Sequence, residues 1–139
     1  MKIPRILALL FTLSALLLSI SAVAVAQKSE TSVAVPQYDP ATEARFIGMV
    51  EEVKDRQCPV SGGVGSHLLL KLSPSSTIEV HLATTKFVKG YDLVFKKGEV
   101  VRVVGSKVRF EGAETIFARE LNRGGSTYVF REKDGTPIW

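Results

Sequence analysis

Cysteine, histidine and tryptophan are scarce in this chain of 139 residues, which contains one cysteine, two histidines and one tryptophan. A single cysteine, Cys58, cannot form an internal disulfide, so a folded domain must depend on its hydrophobic core. The chain also lacks a C-x-x-C-H motif, which excludes covalent haem attachment by that route. We interpret Cys58 as an unreactive loop cysteine, with pairing to another chain as the alternative.

The N-terminal residues have the pattern of a secretory signal peptide. Lys2 and Arg5 precede an apolar run over residues 6–20, and small residues end at Ala24-Val25-Ala26. The apolar run is short for a membrane span of about 20 residues. We therefore predict cleavage after Ala26 and a periplasmic or secreted protein without stable membrane insertion, with an uncleaved anchor as the alternative.

The remaining residues suffice for one small domain. We predict a signal peptide over residues 1–26, an extended N-terminal arm over 27–43 and a folded domain over 44–139. Residues 1–26 contain two of the 18 basic residues and none of the 14 acidic ones, so the net charge of the rest is +2. This small charge, and the lack of a basic stripe with interleaved aromatic residues, argue against nucleic acid as a partner.

Residues 67–82 alternate between apolar and polar side chains and predict two antiparallel strands joined at residues 74–76. The even positions predict a stripe that faces the core: Leu68, Leu70, Leu72, Ile78, Val80 and Leu82. The odd positions predict an exposed face with the candidate ligand-binding residues His67, Leu69, Lys71, Thr77, Glu79 and His81.

The register of this hairpin determines which polar side chains meet. Pairing Ser73 with Thr77 puts Lys71 opposite Glu79. The same register makes the two histidines diagonal neighbours on the exposed face, roughly 7–8 Å apart.

Other segments predict further strands and one helical turn. Residues 44–54 predict a first strand, in which Gly48 requires a bulge, a bend or a close backbone approach. Residues 55–66 predict a loop, because proline and three glycines interrupt them. Thr84 or Thr85 predicts the start of a helical turn that ends at Gly90.

Later strands are predicted at 99–105, 108–110, 115–121 and 127–131, and we expect Trp139 to dock on an apolar patch.

Five strands with a helical insertion between the third and fourth match the order of an oligonucleotide/oligosaccharide-binding (OB) barrel. We therefore predict a mainly all-β fold, a small five- to six-stranded OB-like β-barrel with one short helical segment, preceded by a signal peptide. In such barrels the second and third strands carry the usual ligand face. The polar side of the hairpin corresponds to that face.

Several short motifs give the chain a resemblance to a known family. They are Tyr38-Asp39-Pro40, Gly48-x-Val50-Glu51-Glu52-Val53, His67-Leu68-x-Leu70-Lys71, Val80-His81-Leu82, Ala118-Arg119-Glu120 and Arg131-x-x-Asp134-Gly135-x-Pro137-x-Trp139. With these motifs the chain resembles the C-terminal domain of the magnetosome proteins MamS and MamX. The resemblance implies a small exported OB-like barrel associated with iron-crystal maturation. In MamX the domain accompanies haem-binding motifs, which this chain lacks.

Two histidines and a carboxylate on one face suggest part of a metal site. Imidazole is the commonest metal ligand, and His67, His81 and Glu79 are the candidate ligands. Lys71 beside Glu79 would compete for the carboxylate and repel a cation. We therefore predict no cofactor and keep a transition metal as the alternative.

The expected function is that of a non-catalytic binding or accessory module of MamS/MamX type, whose partner is another periplasmic protein. Cys58 with a histidine and an acid would be needed for nucleophilic catalysis, but a loop cysteine without a helix start lacks activation. A periplasmic metal-binding protein that uses the two histidines is the alternative function. A further alternative is OB-type binding of an oligonucleotide or glycan, although the polar face of the hairpin has no aromatic residue for stacking.

Overall fold

The computed structural model describes residues 34–139, so the predicted signal peptide lies outside the described part. Within these residues, six strands and one α-helix form the fold: β1 (Glu43–Cys58), β2 (Gly63–Ser73), β3 (Ser76–Thr84), α1 (Thr85–Gly90), β4 (Val100–Phe110), β5 (Ala113–Arg123) and β6 (Ser126–Val129). Two short 3₁₀ helices lie at Pro40–Thr42 and Pro59–Ser61. Within residues 34–139, no helix has the length and apolar character needed to cross a membrane.

The first five strands close into a ring. Antiparallel pairing links β3, β2, β1, β4 and β5 in that order, and β3 also pairs with β5 in parallel to complete the ring. The sixth strand extends β5 on its outer side, and α1 lies between β3 and β4 in the chain. This arrangement confirms the predicted OB-like barrel.

The interior of the ring contains the apolar stripe predicted for the hairpin. Five of the six side chains are buried: Leu68, Leu70, Ile78, Val80 and Leu82. Leu72, near the turn, is partly buried against the same core. The helical turn also begins as predicted, because Thr84 Oγ1 accepts a hydrogen bond from the backbone N–H of Phe87 at 3.3 Å.

The loop predicted over residues 55–66 is wrong. Strand β1 continues to Cys58, and β2 begins at Gly63, directly opposite it. The chain reverses through the 3₁₀ helix and Gly62, whose φ of +64° is readily adopted by glycine. Cys58 is therefore the last residue of a strand and is 2 % exposed, rather than a loop cysteine.

The predicted break near residue 105 is also wrong, because β4 runs without interruption from Val100 to Phe110. Gly105 lies at a bulge in the β4–β5 pairing. A methyl group there would overlap the backbone carbonyl of Phe117, so the glycine permits close contact between two strands.

The hairpin has a different register from the predicted one. Its turn contains two residues, Pro74 and Ser75, and Lys71 pairs with Thr77 instead of Glu79. The register also shifts at two irregular positions, one of them between Ser66 and His67. As a result His67 lies directly opposite His81, and the predicted diagonal arrangement is wrong.

Candidate metal centre

The two histidines are fully buried, in contrast to the exposed face predicted for them. His67 and His81 are both 0 % exposed, and their ring centroids lie 4.9 Å apart in an edge-to-face arrangement. The His81 ring also packs against Phe117 at 5.7 Å and against Trp139 at 5.8 Å. These aromatic side chains cover the outer side of the barrel wall, which explains why polar positions of the strands are inaccessible there.

Phe117 belongs to a second, smaller hydrophobic cluster. It consists of Cys58, Phe110 and Phe117, with Tyr38, Val60 and Val108 packed against it. Trp139 packs against the main core and contacts the His81 ring at a tilt of 55°, which confirms its predicted docking.

Of the other candidate residues on the predicted ligand face, Glu79 contacts His67, whereas Leu69, Lys71 and Thr77 make no polar contact with either histidine in the described part of the chain. Leu69, Lys71 and Glu79 are half-buried, and Thr77 is exposed beside the turn. The Lys71 ammonium lies 3.6 Å from Glu51 on the neighbouring strand. Lys71 therefore pairs with Glu51 and not, as predicted, with Glu79.

Cys58 comes close to both histidines. One ligand atom each of Cys58, His67 and His81 lies within 4.8 Å of the others, and all three side chains are buried. They come from the adjacent strands β1, β2 and β3, so the wall of the barrel fixes their relative positions. We refer to these three residues as the Cys-His-His cluster.

A glycine leaves space beside this cluster. A Cβ atom placed on Gly65 would lie 2.5 Å from Ser61 Oγ, 3.2 Å from Cys58 Cβ and 3.2 Å from His67 Nε2. Any larger residue at Gly65 would occupy the volume into which these side chains point. Glycine is therefore needed at position 65 because of the limited space, and not because of an unusual backbone conformation. We refer to this space beside the cluster as the cradle.

Polar atoms of the cluster are left without partners. Among the described residues, both nitrogens of His67 and Nδ1 of His81 have no hydrogen-bond partner, although all three are buried. The other nitrogen of His81, Nε2, lies 2.7 Å from Ser61 Oγ. Buried polar atoms are nearly always hydrogen-bonded in proteins, so unpaired ring nitrogens beside a thiol indicate a place for a ligand.

Glu79 contacts the opposite side of the His67 ring. Its Oε1 lies 2.7 Å from His67 Nδ1, outside the direction of an ideal hydrogen bond. Arg56 holds the same oxygen through Nη2 at 2.9 Å and Nε at 3.2 Å, and also binds Glu111 at 2.8 Å. Glu79 is therefore placed to orient His67, and its predicted role as a metal ligand is not supported by its position.

Burial keeps the imidazoles in their neutral form. Desolvation, reinforced by the charge of Arg56, lowers the pKa of His67. Desolvation also lowers the pKa of His81 to about 3, with further contributions from His67, Arg131 and Arg56. Neutral imidazole is the form that binds metal ions, so both rings are in the required state at neutral pH.

Residues 42–128 match the model of the MamS/MamX magnetosome protein family. The chain belongs to this family. The matched region contains the whole Cys-His-His cluster together with Ser61, Gly65 and Glu79, whereas Arg131 and Trp139 follow it. No curated protein matches the chain.

In this member of the MamS/MamX family, the cluster offers one sulfur and two nitrogen donors. Such donors suit zinc and copper, whose bonds to protein ligands measure about 2.0–2.3 Å. Ligand atoms up to 4.8 Å apart must approach one another to bind one ion, which requires modest side-chain rotation. Glu79 lies beside the His67 ring as the carboxylate does in carboxylate–histidine pairs, at a short distance but without the ideal hydrogen-bond direction.

Sequence reasoning missed Cys58 because proline and glycine after it favoured a loop. The available signal was that Cys58 and His67 flank a short segment, residues 59–66, whose proline and glycines allow the chain to reverse direction. A tight reversal there places a cysteine and a histidine on adjacent strands.

Proposed function

We propose that this protein is an exported, magnetosome-associated module that binds one transition metal ion through Cys58, His67 and His81. The observation that carries the proposal is the buried cluster of one cysteine and two histidines, in which three ring nitrogens have no hydrogen-bond partner among the described residues. Family membership supports the association with magnetosomes. The N-terminal sequence pattern supports export to the periplasm.

The proposed role is binding rather than catalysis. Cys58 is 2 % exposed and is enclosed by the aromatic cluster, so a substrate has no open approach to its sulfur. A metal ion enclosed in this way suits a carrier site more than a hydrolytic one, because hydrolysis needs an accessible coordination position for water.

Titration of the purified protein with Zn(II), Cu(II) and Fe(II) by calorimetry, and with Cu(I) under anaerobic conditions, tests this proposal. We expect one equivalent of at least one of these ions to bind with micromolar or tighter affinity. Cys58→Ser and the double variant His67→Ala/His81→Ala should weaken binding by at least 100-fold. Thr77→Ala is the matched control, since Thr77 is exposed on the same hairpin. Absence of binding, or equal affinity in all variants, would overturn the proposal.

A second candidate function is docking to another periplasmic protein. Ile47, Met49 and Val100 form an apolar strip on β1 and β4, where Met49 pairs with Val100. Their exposed fractions of 57 %, 39 % and 63 % favour a protein contact, because exposed apolar patches often mark interaction sites. A photo-cross-linker at Val100 should capture one defined protein in cells, and one at Thr77 should not.

A further inference from the structure

We infer that the Cys-His-His cluster holds monovalent copper, Cu(I), in preference to divalent ions. This inference rests on the proposed function and deepens it by naming the ion. Three features carry it: the donor set, the exclusion of water and an unpaired positive charge on Arg131.

The donor set is small and soft. Within the described part of the chain the cluster contains one thiol and two imidazoles, and no carboxylate. Structural zinc sites nearly always have four protein ligands. Thiolate donors favour Cu(I), and trigonal sites made of one cysteine and two histidines are typical of copper. Ser61 adds only a neutral hydroxyl beside His81.

The charge of the bound ion matters because the cluster is dry. Cys58, His67 and His81 are 2 %, 0 % and 0 % exposed. A thiolate and Cu(I) together are neutral, whereas a thiolate and a divalent ion leave one positive charge. Burial of a net charge is costly when nothing compensates it, so a dry site favours the monovalent ion.

Arg131 adds a positive charge on the side of His81. Its guanidinium stacks over the ring of Trp139 at 4.6 Å and the ring of Phe117 at 5.6 Å. His81 packs against the same two rings, at 5.8 Å and 5.7 Å. The two side chains therefore share both aromatic neighbours, which places the guanidinium close to the metal-binding side chains.

No acid of residues 34–139 neutralises this guanidinium. Arg131 is 4 % exposed and makes no salt bridge within residues 34–139, and its Nε and Nη2 lack hydrogen-bond partners there. Its Nη1 donates to the carbonyl oxygen of Gly135 at 3.0 Å. A buried, uncompensated cation repels a second positive charge more strongly than a solvated one does.

Acidic groups near His67 do not reverse this preference. Glu79 forms a salt bridge with Arg56, and Arg56 forms a second salt bridge with Glu111. The side chains of Glu79 and Glu111 are 31 % and 43 % exposed, so solvent screens their charges. Arg131 is the buried charge of the group and acts through a medium of lower dielectric constant.

Competition titrations under anaerobic conditions test the inference. Cu(I) is titrated against the chromophoric chelator bicinchoninate, and Zn(II) and Fe(II) against chelators of known affinity. We expect tighter binding of Cu(I) than of either divalent ion. If no ion binds, the proposed function itself fails. If a divalent ion binds more tightly than Cu(I), the inference fails and the proposed function stands.

Variants of Arg131 test the physical cause. Arg131→Met removes the charge and should raise the affinity for Zn(II) relative to Cu(I) by roughly tenfold, because a buried cation repels a divalent ion more strongly than a monovalent one. Arg131→Lys should retain the original ratio, and Lys71→Met controls for the loss of a cation elsewhere. An unchanged ratio in folded Arg131→Met would overturn the role of this charge. The order of affinities in the unmodified protein decides the inference even if that variant does not fold.

Discussion

The two nitrogens of His67 have different surroundings, and this difference assigns them different roles. Nδ1 lies 2.7 Å from Glu79, whereas Nε2 faces the space beside Gly65. A carboxylate on one nitrogen orients the ring and increases the basicity of the other, which strengthens a metal bond. Glu79 thus contributes to the site without touching the ion.

Replacement of Glu79 tests this orienting role. We expect Glu79→Gln to weaken metal binding by about 10- to 100-fold, which is typical for loss of such a partner. Glu111→Gln is the matched control, because Glu111 also binds Arg56 but does not contact His67. Affinities from chelator competition should separate the two variants. Equal losses would mean that Glu79 acts only through Arg56.

Buried neutral histidines make the stability of the metal-free protein depend on pH. The pKa of His81 falls from its ordinary value of 6.5 to about 3 on folding, mainly through desolvation, and the pKa of His67 falls for the same reason. Between pH 3 and pH 6.5 the unfolded chain therefore binds more protons at His81 than the folded chain does. The free energy of unfolding should therefore be unaffected by these groups above pH 6.5 and should decrease as the pH falls from 6.5 toward 3.

Urea unfolding at pH 7, 5 and 4 measures this dependence. The variant His81→Leu replaces the imidazole with an apolar side chain of similar size and so removes the titrating group. We expect its free energy of unfolding to fall less steeply with decreasing pH than that of the unmodified protein. Identical slopes for the two proteins would contradict the assignment to His81.

At the scale of elements, the turn between β1 and β2 forms the cradle of the site. Gly65→Ala should place a methyl group among Cys58, Ser61 and His67 and weaken metal binding at least tenfold, with a small loss of stability. Gly63→Ala is the control, because its methyl group would meet no atom within 4 Å and its φ is not positive. Parallel measurements of affinity and urea midpoint should show a binding defect in the first variant alone. Normal binding by Gly65→Ala would contradict the cradle.

The sequence predicted the elements that have a regular local pattern, such as alternating apolar and polar residues or a capping residue. Alternation over residues 67–82 identified the core stripe, and Thr84 identified the start of α1. It could not predict the burial of the histidines, because Phe117 and Trp139 come from distant parts of the chain. It placed Cys58 in a loop, since proline and glycine can mark either a loop or a tight reversal between long strands.

At the scale of the whole molecule, closure of the ring brings the site together. The parallel contact between β3 and β5 pairs His81 with Phe117, so the aromatic cover reaches the histidine only when the ring is closed. Gly105 permits the close approach of β4 to β5 at the same level, where Ser106 pairs with Phe117. Barrel closure and formation of the metal centre are therefore coupled.

The variant Gly105→Ala tests this coupling. The added methyl group meets the backbone of Phe117, which cannot move independently of β5, so we expect a loss of about 1–3 kcal/mol in the free energy of unfolding. Gly90→Ala at the end of α1 is the control, because its methyl group would meet nothing within 4 Å. Urea unfolding compares the two variants, and equal stability would contradict a tight β4–β5 contact.

X-ray absorption spectroscopy of the zinc-loaded protein tests the Cys-His-His centre most directly, because it reports which atoms are bound to the ion. We expect one sulfur at about 2.3 Å and two histidine nitrogens at about 2.0 Å. In Cys58→Ser the sulfur contribution should disappear. A spectrum with only nitrogen and oxygen neighbours in the unmodified protein, or with sulfur retained in Cys58→Ser, would contradict the centre.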